Sequence, residues 1–150
     1  TSVTIYLAPI YYNLYENKDG NKINDLKKNF FIFIIIGTLT AVFLSYFFGD
    51  LLITLIGNSN YYEYSYLLPL FVLAGSMFSA SQLLNLELFT KMDTMGYAII
   101  NLINAFILII LFTIGLYLFE LIGAVIALGI SHFIAFIILY LYTRNFFNEK

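Results

Sequence analysis

Long apolar runs separated by short polar breaks make up almost the whole chain. Four runs reach about 20 residues, the length at which a helix crosses a hydrocarbon core of roughly 30 Å. They are Phe30–Phe48, Tyr64–Phe89, Tyr97–Phe119 and Leu121–Tyr142. Runs this apolar do not separate helix from strand by period, so length decides. Membrane strands need only about 9–11 residues and alternate polar with apolar, and nothing here alternates. Gly49–Ile56 exceeds what one span needs and reads as a tilted or interfacial extension of the first run. Val3–Tyr15 reads as the exit half of a further helix. The expected fold is all-α, a polytopic transmembrane helical bundle with four full transmembrane helices plus a partial N-terminal one. Its helices fall at about 1–15, 30–56, 64–89, 97–119 and 121–143.

The breaks carry the charge. Glu16–Asn29 is a polar loop with an Asp19-Gly20 turn signal. Gly57–Glu63 and Lys91–Gly96 are the second and third loops, and the fourth, at Glu120, is almost a point. Connections this short make neighbouring helices antiparallel. All seven basic residues fall in alternate breaks: Lys18, Lys22, Lys27 and Lys28 in the first, Lys91 in the third, Arg144 and Lys150 after the last helix. The second and fourth hold Glu63 and Glu120, with Asp50 nearby, and no Lys or Arg. Basic residues collect on the cytoplasmic side, which places the C-terminus there; a helix count wrong by one would scatter them over both sides. Pro69 lies inside the second run and is expected to kink it, and Pro9 kinks or ends the partial first helix.

Composition narrows the class. The chain is 61% hydrophobic and 11% charged, with mean hydropathy +0.89, against about 25% charged residues in soluble domains. A net charge of -2 argues against a nucleic-acid partner. There is no Cys and one His, which leaves no thiolate site and no His cluster, so no metal or cofactor is expected. Trp is absent, and Tyr serves as the interfacial aromatic. No basic segment precedes the first apolar run, so it is not a signal peptide. With Thr1 first, the chain reads as a fragment whose N-terminal helices are missing.

Several segments, in order, resemble one family. LAPIYYNLYENKDGNKINDLKKNF is similar to a helix end with Pro followed by a basic loop with Asp-Gly. DLLITLIGNSNYYEYSYLLPLF resembles a helix ending in Gly, then Tyr and a new apolar helix. LELFTKMDTMGYAIINLINAFI resembles a short cytoplasmic turn into a helix with paired Asn, and FELIGAVIALGISHF a tight outer turn before the last helix. Together they resemble the C-terminal part of polysaccharide transporters of the MOP flippase superfamily. Phe89-Thr90 precede Lys91 where the family has Gly. The resemblance implies a multi-pass protein of the bacterial inner membrane that flips lipid-linked polysaccharide units by alternating access of two bundles. Its implied partners are the bilayer, a lipid-linked glycan and the transporter's remaining N-terminal helices.

Candidate residues carry two readings each. An ionisable group in hydrocarbon costs at least about 2.5–3.5 kcal/mol, so His132, mid-way along the last helix, is either a cavity residue or a neutral imidazole bonded to a neighbouring helix. Glu87 either reaches the interface and pairs with Lys91 one turn on, or faces a cavity. Ser79 and Gln82 share a face with Gly75, flanked by Ser76, and this face points into protein or a wet cavity. Asn101 and Asn104 share a face and either bond across helices or line a polar path. Gly123, Ala127, Ser131 and Ala135, four apart, form a packing stripe. Asp50 is placed at the outer interface without a function, and the loop Lys18–Lys28 is either solvated or binds anionic headgroups. No phosphate-binding glycine loop, carboxylate pair or triad appears, so no enzyme activity is expected. The alternatives are a cation-coupled multidrug exporter, which needs deep carboxylates, a membrane glycan ligase or acyltransferase, for which His132 is the one candidate, and a non-transporting scaffold.

Overall fold

The computed structural model describes residues 2–17, 19–56, 59–90 and 93–148, with side chains for 6–17, 19–55, 61–90 and 93–144. Lys18, Lys91 and Lys150 lie outside the described residues. The elements are α1 (Ser2–Glu16), α2 (Gly20–Ile56), a 3-10 segment (Ser59–Leu67), α3 (Leu68–Thr90) and α4 (Thr94–Asn148). The described residues contain no strand. Such apolar runs favour helix because each backbone N–H and C=O finds its partner within the segment, which lipid requires. Three helical stretches, Gly20–Leu55, Tyr61–Thr90 and Thr94–Arg144, are long and apolar enough to cross a membrane.

The longest of these stretches turns back on itself. Phe119 and Glu120 leave helical geometry, and Glu120 takes φ 53, ψ -136. Beyond that bend the Tyr142 hydroxyl donates to Asp93 Oδ2 at 2.9 Å and the Ser131 hydroxyl to Asn104 Oδ1 at 3.1 Å. Both bonds join positions nearly equidistant from the bend, so the arms 94–118 and 121–148 run antiparallel. At the bend the arms touch through Gly115 and Gly123, where a Cβ on either would strike the other's carbonyl. Gly123, Ala127, Ser131 and Ala135 are all buried. Small side chains here let two backbones approach closely.

α3 is the central helix, in contact with α1, α2 and α4. On one side Leu83 and Leu86 meet Tyr11 of α1 and Ile23 of α2. On the other, Leu84 and Leu88 meet Ile100 and Leu139 of the α4 arms. α2 is much barer, with Phe33 71% and Leu39 66% exposed. In water that surface would aggregate; lipid tails are as apolar as these side chains and solvate it.

Three local features differ from the sequence expectation. The first loop is largely helix: α2 begins at Gly20, ten residues before the expected start, because Ile23, Leu26 and Phe30 stand at helical spacing and pack against α1. Only a short break separates α1 from α2, and there Asp19 accepts the Ile23 N–H at 3.1 Å. A hydrogen bond from Lys22 holds the Asp19 carboxyl below its usual range. Pro69 does not kink a helix interior. It is the second residue of α3, where the missing N–H would have no intrahelical partner. The bend in this region is at Phe48 of α2 (φ -117, ψ 15). Gly49 beside it is buried against the 3-10 segment; an added Cβ would sit 3.3 Å from the Ser65 carbonyl.

These contacts sort the charges. α2 and α3 are antiparallel, with Lys27 against Glu87 at one end and Gly49 against Ser65 at the other. The second arm of α4 runs parallel to α3, with Phe78 beside His132 and Ala74 near Gly129. Lys22, Lys27, Lys28 and Arg144 therefore share one end, and Asp50, Glu63 and Glu120 the other. Along α2 the ends are roughly 35 Å apart between Lys27 and Asp50, at ~1.5 Å per residue, slightly more than the roughly 30 Å hydrocarbon core.

Candidate functional site

Between the two ends the sequence supplies a handful of polar side chains, and the fold gathers them where α3 meets α4. Asn101, on the first arm, donates to the Tyr97 carbonyl at 2.8 Å and to Asn85 Oδ1 of α3 at 3.5 Å. Asn104, one turn on, accepts from Ser131 of the second arm. A hydroxyl or amide facing lipid would forgo its partners; here each is bonded between helices, which favours one register of the hairpin. Asn101 and Asn104 thus both bond across helices. Ser131, fully buried, belongs both to the packing stripe and to this seam. Asn85, buried on α3, completes it and was not among the sequence candidates. Its spacing of three from Gln82 was the available signal.

His132 lies next to Ser131, half-buried. Its ring packs against Phe78 of α3 with centroids 5.2 Å apart. Another face of α3 carries Gly75, Ser79 and Gln82. Gly75 and Ser79 are exposed and Gln82 half-buried, and a Cβ on Gly75 would meet nothing within 4 Å. The Ser79 hydroxyl satisfies itself on the Gly75 carbonyl at 2.9 Å. Among the described residues nothing packs on Gly75, where the expectation was a face turned into protein or a wet cavity. Ser76, at its flank, bonds its own helix, at the Leu73 carbonyl.

Glu87 lies deeper than its position near the helix end suggested. It is 2% exposed, and its Oε2 stands 2.5 Å from Lys27 Nζ of α2. The expected partner, Lys91, lies outside the described residues. Replacing a carboxylate's water with an ammonium compensates the charge where α1, α2 and α3 converge. The Tyr11 hydroxyl of α1 is buried close by, with no hydrogen-bond partner among the described residues, within reach of the Glu87 charge. Sequence spacing pairs neither Lys27 nor Tyr11 with Glu87, because both lie on other helices, far along the chain. Among the described residues no group of His, Asp and Glu side chains could hold a metal. No family model, curated protein or solved structure matches the chain.

Proposed function

We propose that the chain is the C-terminal membrane part of a larger transporter, flipping lipid-linked polysaccharide repeat units across the bacterial inner membrane by alternating access. The observation that carries the reading is the polar face of α3 formed by Gly75, Ser79 and Gln82, on which Gly75 and Ser79 are exposed. A finished span turns such a face onto a neighbour, because lipid offers it no hydrogen bond. A hydrated cavity, lined on its far side by the remaining N-terminal helices, meets that need and shields a glycan in passage. The order of family-like motifs supports the same reading. The gathering of Lys22, Lys27, Lys28 and Arg144 at one end supports a cytoplasmic C-terminus, with each arm of α4 counted as one of four full crossings.

Deleting the full-length gene is expected to abolish surface glycan and to accumulate lipid-linked units inside. Complementation with Gln82→Leu is expected to restore membrane insertion but not export. Intact export in the deletion strain overturns the reading. Single thiols introduced at Asn60 and Asp93 test the topology: only the first should react from outside intact cells. A cation-coupled drug exporter is the second reading, favoured by the buried carboxylate of Glu87. Sodium- or proton-dependent efflux of a dye would select it.

A further inference from the structure

The acidic end carries a carboxylate without a countercharge. Asp50 is exposed and forms no ion pair among the described residues. No Lys or Arg occurs between Lys28 and Lys91, or between Lys91 and Arg144. This end of the chain therefore offers Asp50 no cation of its own. The carboxylate is held in place all the same. The Tyr62 hydroxyl donates to its Oδ2 at 3.0 Å, which uses one of about four lone-pair positions and leaves the rest free.

Asp50 also lines a hollow of about 180 Å³ where α2 bends, together with Tyr46 of α2, Tyr66 of the 3-10 segment and Pro69 of α3. At roughly 30 Å³ for each water, there is room for a small organic headgroup. Asp50 is the one charged side chain in the lining, so an anionic ligand would meet like charge. A bare divalent cation such as calcium wants about six to eight oxygen ligands, more than one carboxylate supplies. An alkylated ammonium asks for less. It pairs with a single carboxylate and rests its methyl or methylene groups on aromatic rings, whose faces attract the charge. Tyr46 and Tyr66 are both exposed, so a ligand can reach them. The Tyr46 ring is braced edge-on against Phe47, with centroids 5.3 Å apart.

We infer that this hollow binds an alkylammonium group, of a lipid headgroup or of a soluble cation, with Asp50 as counterion and Tyr46 and Tyr66 as aromatic wall. The site goes beyond the transport reading and does not depend on it. Binding of radiolabelled choline is measured by scintillation proximity on the full chain in a maltoside detergent, whose head carries no ammonium. Choline should bind saturably and be displaced by tetramethylammonium. Its neutral carbon isostere, with a tert-butyl group in place of the trimethylammonium, should not displace it. Asp50→Asn keeps an oxygen for Tyr62 but removes the charge, and should weaken binding at least about ten-fold. Tyr66→Ala should weaken it about two- to five-fold, and Tyr66→Phe, which keeps the ring, should bind as the unaltered protein does. Repeating the titration in phosphatidylglycerol nanodiscs, with and without phosphatidylethanolamine, separates the two sources. Choline binding lost to the ethanolamine lipid assigns the site to a headgroup, and choline binding unchanged by it assigns the site to a soluble cation. Absence of saturable choline binding, equal displacement by the neutral isostere, or binding that Asp50→Asn leaves intact overturns the site.

Discussion

The basic and acidic ends of the molecule are closed by different means. At the basic end, side chains reach between elements: Lys27 to Glu87, Tyr142 to Asp93, and the Tyr12 hydroxyl to the Phe89 carbonyl at 3.5 Å. At the acidic end one side-chain bond, Tyr62 to Asp50, joins elements, but backbones come together over missing side chains, Gly115 on Gly123 and Gly49 on Ser65. Directional bonds of charged groups are strong only when the partner stays, whereas close glycine packing relies on dispersion and shape. The basic end should thus be sensitive to chemistry and the acidic end to volume.

The largest effect is expected at the buried ion pair. Glu87→Gln takes the carboxylate from Lys27, and breaking a buried pair costs about 3–5 kcal/mol. Thermal denaturation in detergent should fall steeply, and the exchange Lys27→Glu with Glu87→Lys should recover much of the loss. A double variant no better than the singles would mean that burial matters here and pairing does not. Next comes volume at the bend: Gly123→Leu should cost about 1–3 kcal/mol by overpacking and splay the arms, measured by disulfide trapping between them. Gly75→Leu, on the open face, is the matched control and should be near neutral.

Smaller effects sharpen the contrast. Asp93 caps α4, accepting the Gly96 N–H at 2.9 Å while holding Tyr142. Asp93→Ala should lose about 1 kcal/mol from the cap, with a further fraction from the Tyr142 bond, part of which Tyr142→Phe loses alone. The smallest change should be favourable. Glu120 takes a positive φ, a conformation that strains a residue with a Cβ, so Glu120→Gly should stabilise by up to about 1 kcal/mol. A loss there would mean that the Glu120 side chain has a role outweighing the relief of strain.

Much of this molecule was legible in the chain itself. Apolar runs in hydrocarbon have few backbone solutions, and helix is the one their length allows. The small residues from Gly123 to Ala135 implied close packing because only a short side chain admits another backbone, and all four are buried. Asn101 and Asn104 announced polar contacts by sharing a face, though not which partners they would take. What tertiary structure alone decided was pairing between distant segments. Lys27 of α2 meets Glu87 of α3, a pairing between distant segments, because α1, α2 and α3 converge there. Asp50 gained meaning only when α2 bent and carried it to Tyr62. Pro69 became a helix start instead of a kink because the preceding residues wind as a 3-10 segment. Period and length act along one chain and can be read there; burial and charge compensation depend on which helices come together, and that is settled only in three dimensions.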